Sequence, residues 1–490
     1  MARSESSAQE LGRSAEGKPT AGVGGRLKRL SAVLFFPLLI SLASKADGSL
    51  SQPEGDKCFV EVDAVWVDLA SGADATSTIQ SAIDRCFLAG GGTVHVPTGR
   101  YGVKTLRLRS NVTLHLERDA KLVASRQPDD YAGLIRRDRV EPLPESFFGS
   151  RGVGVKESTN RWCRAVVRVF KAHDVAIVGE EGSEIDGRNC FDADGEEKYR
   201  GPHAICVNFS TNVTLSGYTV RDAGNYAHYI SRSQNVVVRG VTIRGGHDGI
   251  DFFHCRDIAV RDCDIQSGDD CVAGYGNRNW KIRNCRLNSS CSIFRIGGND
   301  VEVDNVVAYG PGKYAHRWTY KREDQAAGLN PTDYGRRNTL SFFTFFTGKR
   351  APAPSDGIVF RNCRVANVDK LMHLNFFGNE QWQNGPALRN VTFEGLVAER
   401  LAGPSCIYAP ESTPVTVRFL RSKVSFGTRV SEFSRGANVG SVIIDDLETD
   451  GVDGPFLRTW KGQPEWKADG LKGISRPVEQ GGGQFHVKPI

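Results

Sequence analysis

The sequence predicts an all-β fold: a single-stranded right-handed parallel β-helix, a solenoid of about 22 residues per coil with a helix capping its N-terminal end. Three observations predict it. Self-similar units open at Asn212, Asn235, Asp257, Asn279 and Asp300, at spacings of 23, 22, 22 and 21 residues. Each unit holds only short alternating runs, such as residues 236–238 and 241–243, separated by Gly, Asn or Asp, and none is long enough for a helix. The 54 glycines among 490 residues favour turns and strands in the same way. Three short strands and three turns in about 22 residues make one coil, in which each strand pairs with its counterpart about 4.8 Å above and below. A leucine-rich repeat has a comparable period, but its Leu-x-x-Leu-x-Leu spacing is absent.

The elements follow in chain order. Residues 30–43 are a long apolar run preceded by Arg26, Lys28 and Arg29, broken by Pro37, and followed by Ser44 and Ala46. This reads as a signal peptide over residues 1–46, too short for a membrane span of about 20 apolar residues. A β-helix has an open end that must be covered against edge pairing. Residues 76–89 supply the cover, since Ile79, Ala82, Ile83, Cys86 and Phe87 form one apolar helical face and Gly90-Gly91-Gly92 stops the helix. Further unit openings at Asn111, Asp174, Gly357, Asn390 and Val439 extend one β-helix domain over residues 47–450. Residues 126–165 and 311–340 break the period as loops, and residues 451–490, rich in Gly, Pro and Lys, read as a loosely packed tail.

Composition excludes several classes. The chain is 39% hydrophobic, too apolar for disorder, and its 12 cysteines are too dilute for a small disulfide scaffold. Cys263, Cys285 and Cys363 share one place in a recurring Arg-Asp/Asn-Cys triplet and read as small side chains stacked in an interior. The sequons at Asn111, Asn212 and Asn390 are how several repeats begin. The formal charge of +6 invites an acidic partner, but seven Lys/Arg and three Glu lie within residues 1–46, leaving about +2 for the remainder. No basic stripe appears, so nucleic acid is not expected as a partner.

The period converts sequence offsets into geometry. Thirteen residues after each opening stand Asn225, Asp248, Asp270 and Ser292, predicted to form one column, with Asp269 beside Asp270. Three carboxylates are thereby gathered on an outward face, where mutual repulsion raises at least one pKa. Lone aspartates in β-helices fill turns, and Asp262 and Asp264 read that way. A stacked triplet gains nothing as turn residues; it suits a glycosidase, in which one carboxyl protonates the leaving oxygen and another activates water. A calcium site is the other use of such a cluster.

The same residues carry a resemblance. His247-Asp248-Gly249-Ile250-Asp251, Gly268-Asp269-Asp270-Cys271, Glu184-Ile185-Asp186-Gly187, Ala89-Gly90-Gly91-Gly92-Thr93-Val94 and the stretch 110–117 resemble motifs of the polygalacturonase family of glycoside hydrolases, family 28, in the pectin-lyase-like β-helix superfamily. The similarity spans roughly residues 60–310. It implies Asp269 as general acid, Asp248 and Asp270 as the pair holding the water, and inversion of configuration. Two departures stand out. Ser290-Cys291-Ser292 occupies the place of the family's Gly-His-Gly, and the family's Arg-x-Lys pair is missing near residues 344–346. Arg295, at offset 16 beside Asp251 two coils below, with Arg317 and Lys349, could supply cations instead. His228 and His247 flank the face as wall residues, and Trp318 or Tyr320 could stack on a sugar.

The expectation is a secreted or periplasmic O-glycosyl hydrolase, monomeric, without cofactor or metal, acting on a pectic or related acidic polysaccharide. Its substrate-binding candidates are Asn225, His247, Asp251, Ser292, Arg295, Arg317 and Lys349. The alternatives are a uronate polysaccharide lyase, against which counts that no Arg or Lys is expected within the acid triplet to act as its base, and an inactive carbohydrate-binding β-helix.

Overall fold

The computed structural model describes residues 58–61, 75–131, 163–316, 335–378 and 380–481. The expected signal peptide, Arg317, Trp318 and Tyr320 lie outside them. Residues 55–490 form one compact unit, and its strands are joined in parallel ladders that run coil to coil. The fold is a right-handed parallel β-helix.

The interior columns follow the period read from sequence. Val213, Val236, Ile258, Trp280 and Val301 are successive register partners, steps of 23, 22, 22 and 21 residues. All five are buried, and the column continues through Ile358, Val391, Val417 and Val442. Higher in the solenoid, Phe360, Phe393 and Phe419 stack face to face with centroids 5.3 and 5.1 Å apart.

The residue that opens each unit has a backbone reason to be Asn or Asp. Asn111, Asp174, Asn212, Asn235, Asp257, Asn279 and Asp300 all sit at φ between 51° and 60°, a left-handed conformation that short polar side chains tolerate. Their side chains then bond from coil to coil: Asn212 donates to Asp174, Asn235 to Asn212 and Asn279 to Asp257, each at 2.8 Å. A second ladder runs from Asn305 to Asn284 to Asp262, so Asp262 is a turn residue as expected, whereas Asp264 instead pairs with Arg244 at 2.8 Å. Cys263, Cys285 and Cys363 are buried at one position, each thiol 3.2 Å from the carbonyl oxygen of the arginine two residues before it.

The cap forms as predicted. Helix α1 (Thr76–Leu88) buries Ile79, Ala82, Ile83 and Cys86, with Phe87 half-buried beside Arg109. Gln80 donates to the Arg107 carbonyl at 3.1 Å and accepts the Arg107 amide at 2.7 Å, closing the open edge of the first coil as a neighbouring strand would.

The expected end of the domain at residue 450 is too early. Strands Pro455–Thr459, Glu465–Lys472 and Arg476–Gln480 continue the parallel ladders. Gly/Pro/Lys content misled here because Glu465–Lys472 is the outermost strand of its ladder among the described residues. Its Glu465, Lys467, Asp469 and Lys472 are charges of the kind that blunt an edge rather than signs of a loose tail.

Candidate active site

The third strand of each coil positions the carboxylates. Asp248 and Asp270 stand in register, immediately before strands Ile250–Phe253 and Val272–Arg283. The backbones approach closely here. A Cβ on Gly249 would meet the Cys271 carbonyl oxygen at 2.4 Å, and one on Gly268 would meet the Gly246 and Ala315 carbonyl oxygens at 2.4 and 2.5 Å, which accounts for glycine beside the acids in both motifs. Asp248 Oδ1 accepts the Asp270 amide at 3.2 Å, and Asp270 Oδ1 accepts the Ser292 amide at 3.0 Å. The Asp269 carbonyl is held by the buried hydroxyls of Ser267 and Ser289, at 2.8 and 2.6 Å. One carboxylate oxygen from each of Asp248, Asp269 and Asp270 lies within 4.8 Å of the others.

Two arginines divide this charge. Arg200, from the excursion between Glu184–Asp186 and His203–Asn208, pairs with Asp269 at 2.9 Å and donates to Asn225 at 3.3 Å. Arg295 reaches past Ala273 to Asp270 at 2.8 Å. It is therefore partnered by Asp270, with no ion pair to the Asp251 below it among the described residues. Its plane lies between Phe346 and Trp382, at 4.4 and 4.5 Å from their centroids, contacts that each contribute about 0.5–2 kcal/mol. Among the described residues Asp248 has no ion pair of its own, with Arg200 acting on it only at a distance. Burial, then repulsion from Asp251, Asp269 and Asp270, raises its pKa well above the ordinary range. Burial also raises Asp270, against the opposing pull of Arg295, and raises Asp251, whose Oδ1 has no hydrogen-bond partner. Burial and mutual repulsion thus raise Asp248, Asp251 and Asp270 together, as one coupled cluster.

The remaining candidates fall into place unevenly. Asn225 is one residue out of the expected column. The extra residue of its 23-residue coil lies in the turn before His228–Ser231, so Tyr226 stacks under Asp248, and Asn225 joins the column of His247, Asp269 and Cys291. His247 is buried, with the Tyr199 ring 5.8 Å away. His228 does not flank the face. It points inward, bonds the Tyr218 hydroxyl at 2.9 Å, and burial lowers its pKa to about 3. Ser292 is fully buried and shares its hydroxyl with Thr344 at 3.1 Å, supporting Asp270 from above. Lys349 is exposed on a turn, where its amide donates to Asn384 at 3.0 Å, and it is not among the residues that line the cleft.

That cleft, of about 390 Å³, is lined by Asp269, Cys291, Arg295, His316, Arg336, Thr344, Glu380, Trp382 and Gln383. Of the three catalytic candidates only Asp269 lines it, although all three are buried, Asp248 and Asp269 at 4% exposure and Asp270 at 0%. His316, from the 311–316 segment, brings Nδ1 to 3.8 Å from Asp269, so a histidine does stand beside the acid although residues 290–292 contain none. The sequence did not point to Arg200, Glu380, Trp382 or Gln383. They come from excursions between coils, where the period assigns no position; an aromatic flanked by amides at 381–383 was the available signal.

Comparison with known proteins agrees with this geometry. Residues 143–309 match the family model for glycosyl hydrolases family 28. A probable polygalacturonase of Vitis vinifera is 30% identical over 158 residues, 31% of this chain, and the match spans only 30% of that relative's length. The family 28 exopolygalacturonase of Yersinia enterocolitica superposes with a TM-score of 0.59 at 16% identity, over 86% of this chain and 79% of that one. A hyperthermoactive exopolygalacturonase from Thermotoga maritima gives 0.58 at 17% identity, over 82% and 94%. The two structures share the fold with this chain; the family 28 match covers the segment that contains Asp248, Asp269 and Asp270.

Proposed function

We propose that this chain is a secreted, polygalacturonase-like glycoside hydrolase that cleaves a pectic or related acidic polysaccharide by single displacement. The observation that carries the reading is the convergence of Asp248, Asp269 and Asp270 within 4.8 Å at the wall of a cleft that also presents Arg295, Arg336 and His316. Asp269, on the cleft side, protonates the leaving glycosidic oxygen; Asp270 and Asp248, behind it, orient and deprotonate the attacking water. A sugar that displaces Arg200 leaves Asp269 to carry the proton it donates. Arg295, held flat between Phe346 and Trp382, and Arg336 offer donors to a uronate carboxylate. Carboxylate oxygens this close resemble the spacing of about 5–5.5 Å in retaining pairs more than the wider inverting one, so inversion rests on the family resemblance.

A lyase needs a base near the acids. Arg200 and Arg295 do stand there, contrary to the sequence expectation. Burial would lower both, but Asp269 and Asp270 raise them above the ordinary arginine value, so neither gives up its proton. A second reading, carbohydrate binding without turnover, is favoured by one observation: Arg200 covers Asp269 while Asp248 and Asp270 are almost wholly buried. Release of reducing ends from polygalacturonate and rhamnogalacturonan separates the readings. Asp269→Asn and Asp270→Asn are each expected to lower the rate about 10²–10⁴-fold with an unchanged circular dichroism spectrum. Unaltered turnover in both variants contradicts the mechanism, and binding without product in the wild type favours the second reading.

A further inference from the structure

Cys291 plays no part in hydrolysis, yet its thiol lines the cleft on the coil directly above Asp269. An Asp269 oxygen, Cys291 Sγ and one His316 nitrogen all lie within 4.8 Å of one another. The three come from successive coils and from the 311–316 segment. Carboxylate, thiolate and imidazole together are the donor set of zinc and related borderline-soft cations, in contrast to the all-oxygen set that calcium or magnesium requires. Bond lengths of about 2.0–2.3 Å place tetrahedral ligands roughly 3.5 Å apart, so the atoms, now within 4.8 Å of one another, draw together by about 1 Å on binding. Asp269 and Glu380 both line the cleft and add carboxylates to the site.

We propose that Asp269, Cys291 and His316 form a binding site for a zinc-class divalent cation at the mouth of the carboxylate cluster. Binding replaces the Cys291 thiol proton, released to solvent, with a metal–sulfur bond, and it takes Asp269 from Arg200. Where the hydrolase reading holds, an Asp269 that ligates the cation no longer protonates a leaving oxygen, so metal binding and turnover exclude each other. The sequence raised calcium at the carboxylate triplet but not this donor set, because Cys291 and His316 are 25 residues apart and only the fold brings them together.

Cobalt(II) titrated into the purified full chain tests the site directly. The wild type is expected to develop a thiolate-to-cobalt charge-transfer absorption that zinc abolishes by displacement. Cys291→Ser is expected to lose that band and to bind zinc at least about tenfold more weakly, with unchanged circular dichroism; His316→Ala, which leaves the thiol in place, is expected to weaken binding similarly. Absence of the band in the wild type, or equal zinc affinity in wild type and both variants, overturns the proposal. Hydrolysis gives an independent arm: zinc inhibits the wild type and spares Cys291→Ser, chelator restores activity, and equal inhibition of both proteins overturns the exclusion. The cobalt spectrum is decisive even if no polysaccharide is cleaved, so failure of the site and failure of the hydrolase reading are distinguishable.

Discussion

Asp222 shows how this fold stores carboxylate repulsion outside the cleft as well as within it. Burial, reinforced by Asp186 and Glu184 and only partly opposed by Arg221, raises its pKa to about 7. In the unfolded chain the group titrates near 3.9. Between those values the folded state holds a proton that the unfolded state has lost, so this residue makes stability fall as pH rises through about 4 to 7. Asp222→Asn removes the effect. The variant is expected to gain about 1–3 kcal/mol relative to wild type between pH 5 and pH 8, measured as denaturation midpoints in urea at the two pH values; a pH-independent difference contradicts the assignment. At this same scale Asp248, Asp269 and Asp270 were readable from sequence because the period stacks them. Arg200 and Trp382 were not, since residues in excursions between coils have no place in the repeat, and counting offsets did not fix Asp270 rather than Asp251 as the partner of Arg295.

At the scale of the element, the unit-opening residues carry a backbone requirement and a hydrogen-bond ladder together. Asn235 sits at φ 52° and donates to Asn212 at 2.8 Å. Asn235→Ala loses the bond and places a Cβ in the left-handed region, and is expected to cost about 1–3 kcal/mol. Asn235→Gly loses the bond alone and is expected to cost less. Urea denaturation of the two variants checks the order, and an alanine variant as stable as glycine refutes the backbone argument. The openings were visible in sequence because this one conformation demands the same residue types in coil after coil. Helix α1 was visible for the same sort of reason, a 3.6-residue apolar period ended by three glycines. The use of Gln80 to close the edge at Arg107 was not, because a polar side chain on a helix reads equally well as solvated.

For the whole molecule, the solenoid explains why a site can be assembled from residues far apart in sequence. Each coil adds one position to a column, and the register from Val213 to Val301 keeps the columns straight through the coils that hold Asp248, Asp269 and Asp270. One additional residue in the turn of the 23-residue coil was enough to move Asn225 into a neighbouring column, the level of detail at which counting from unit openings fails. The solenoid's extension beyond residue 450 was missed because charged edge strands resemble tails in composition. Excursions between coils supply His316, Arg336, Trp382 and Gln383 to the cleft. Proton NMR of the first product formed from an acidic polysaccharide tests hydrolysis by this carboxylate cluster most directly, since it reports cleavage, the sugar released and the anomeric outcome in one spectrum. A saturated reducing end that first appears with the configuration opposite to the cleaved linkage, and that is absent with Asp269→Asn, is the predicted result. A retained anomer contradicts single displacement, and an unsaturated product or undiminished signal from Asp269→Asn contradicts the assignment of the cluster itself.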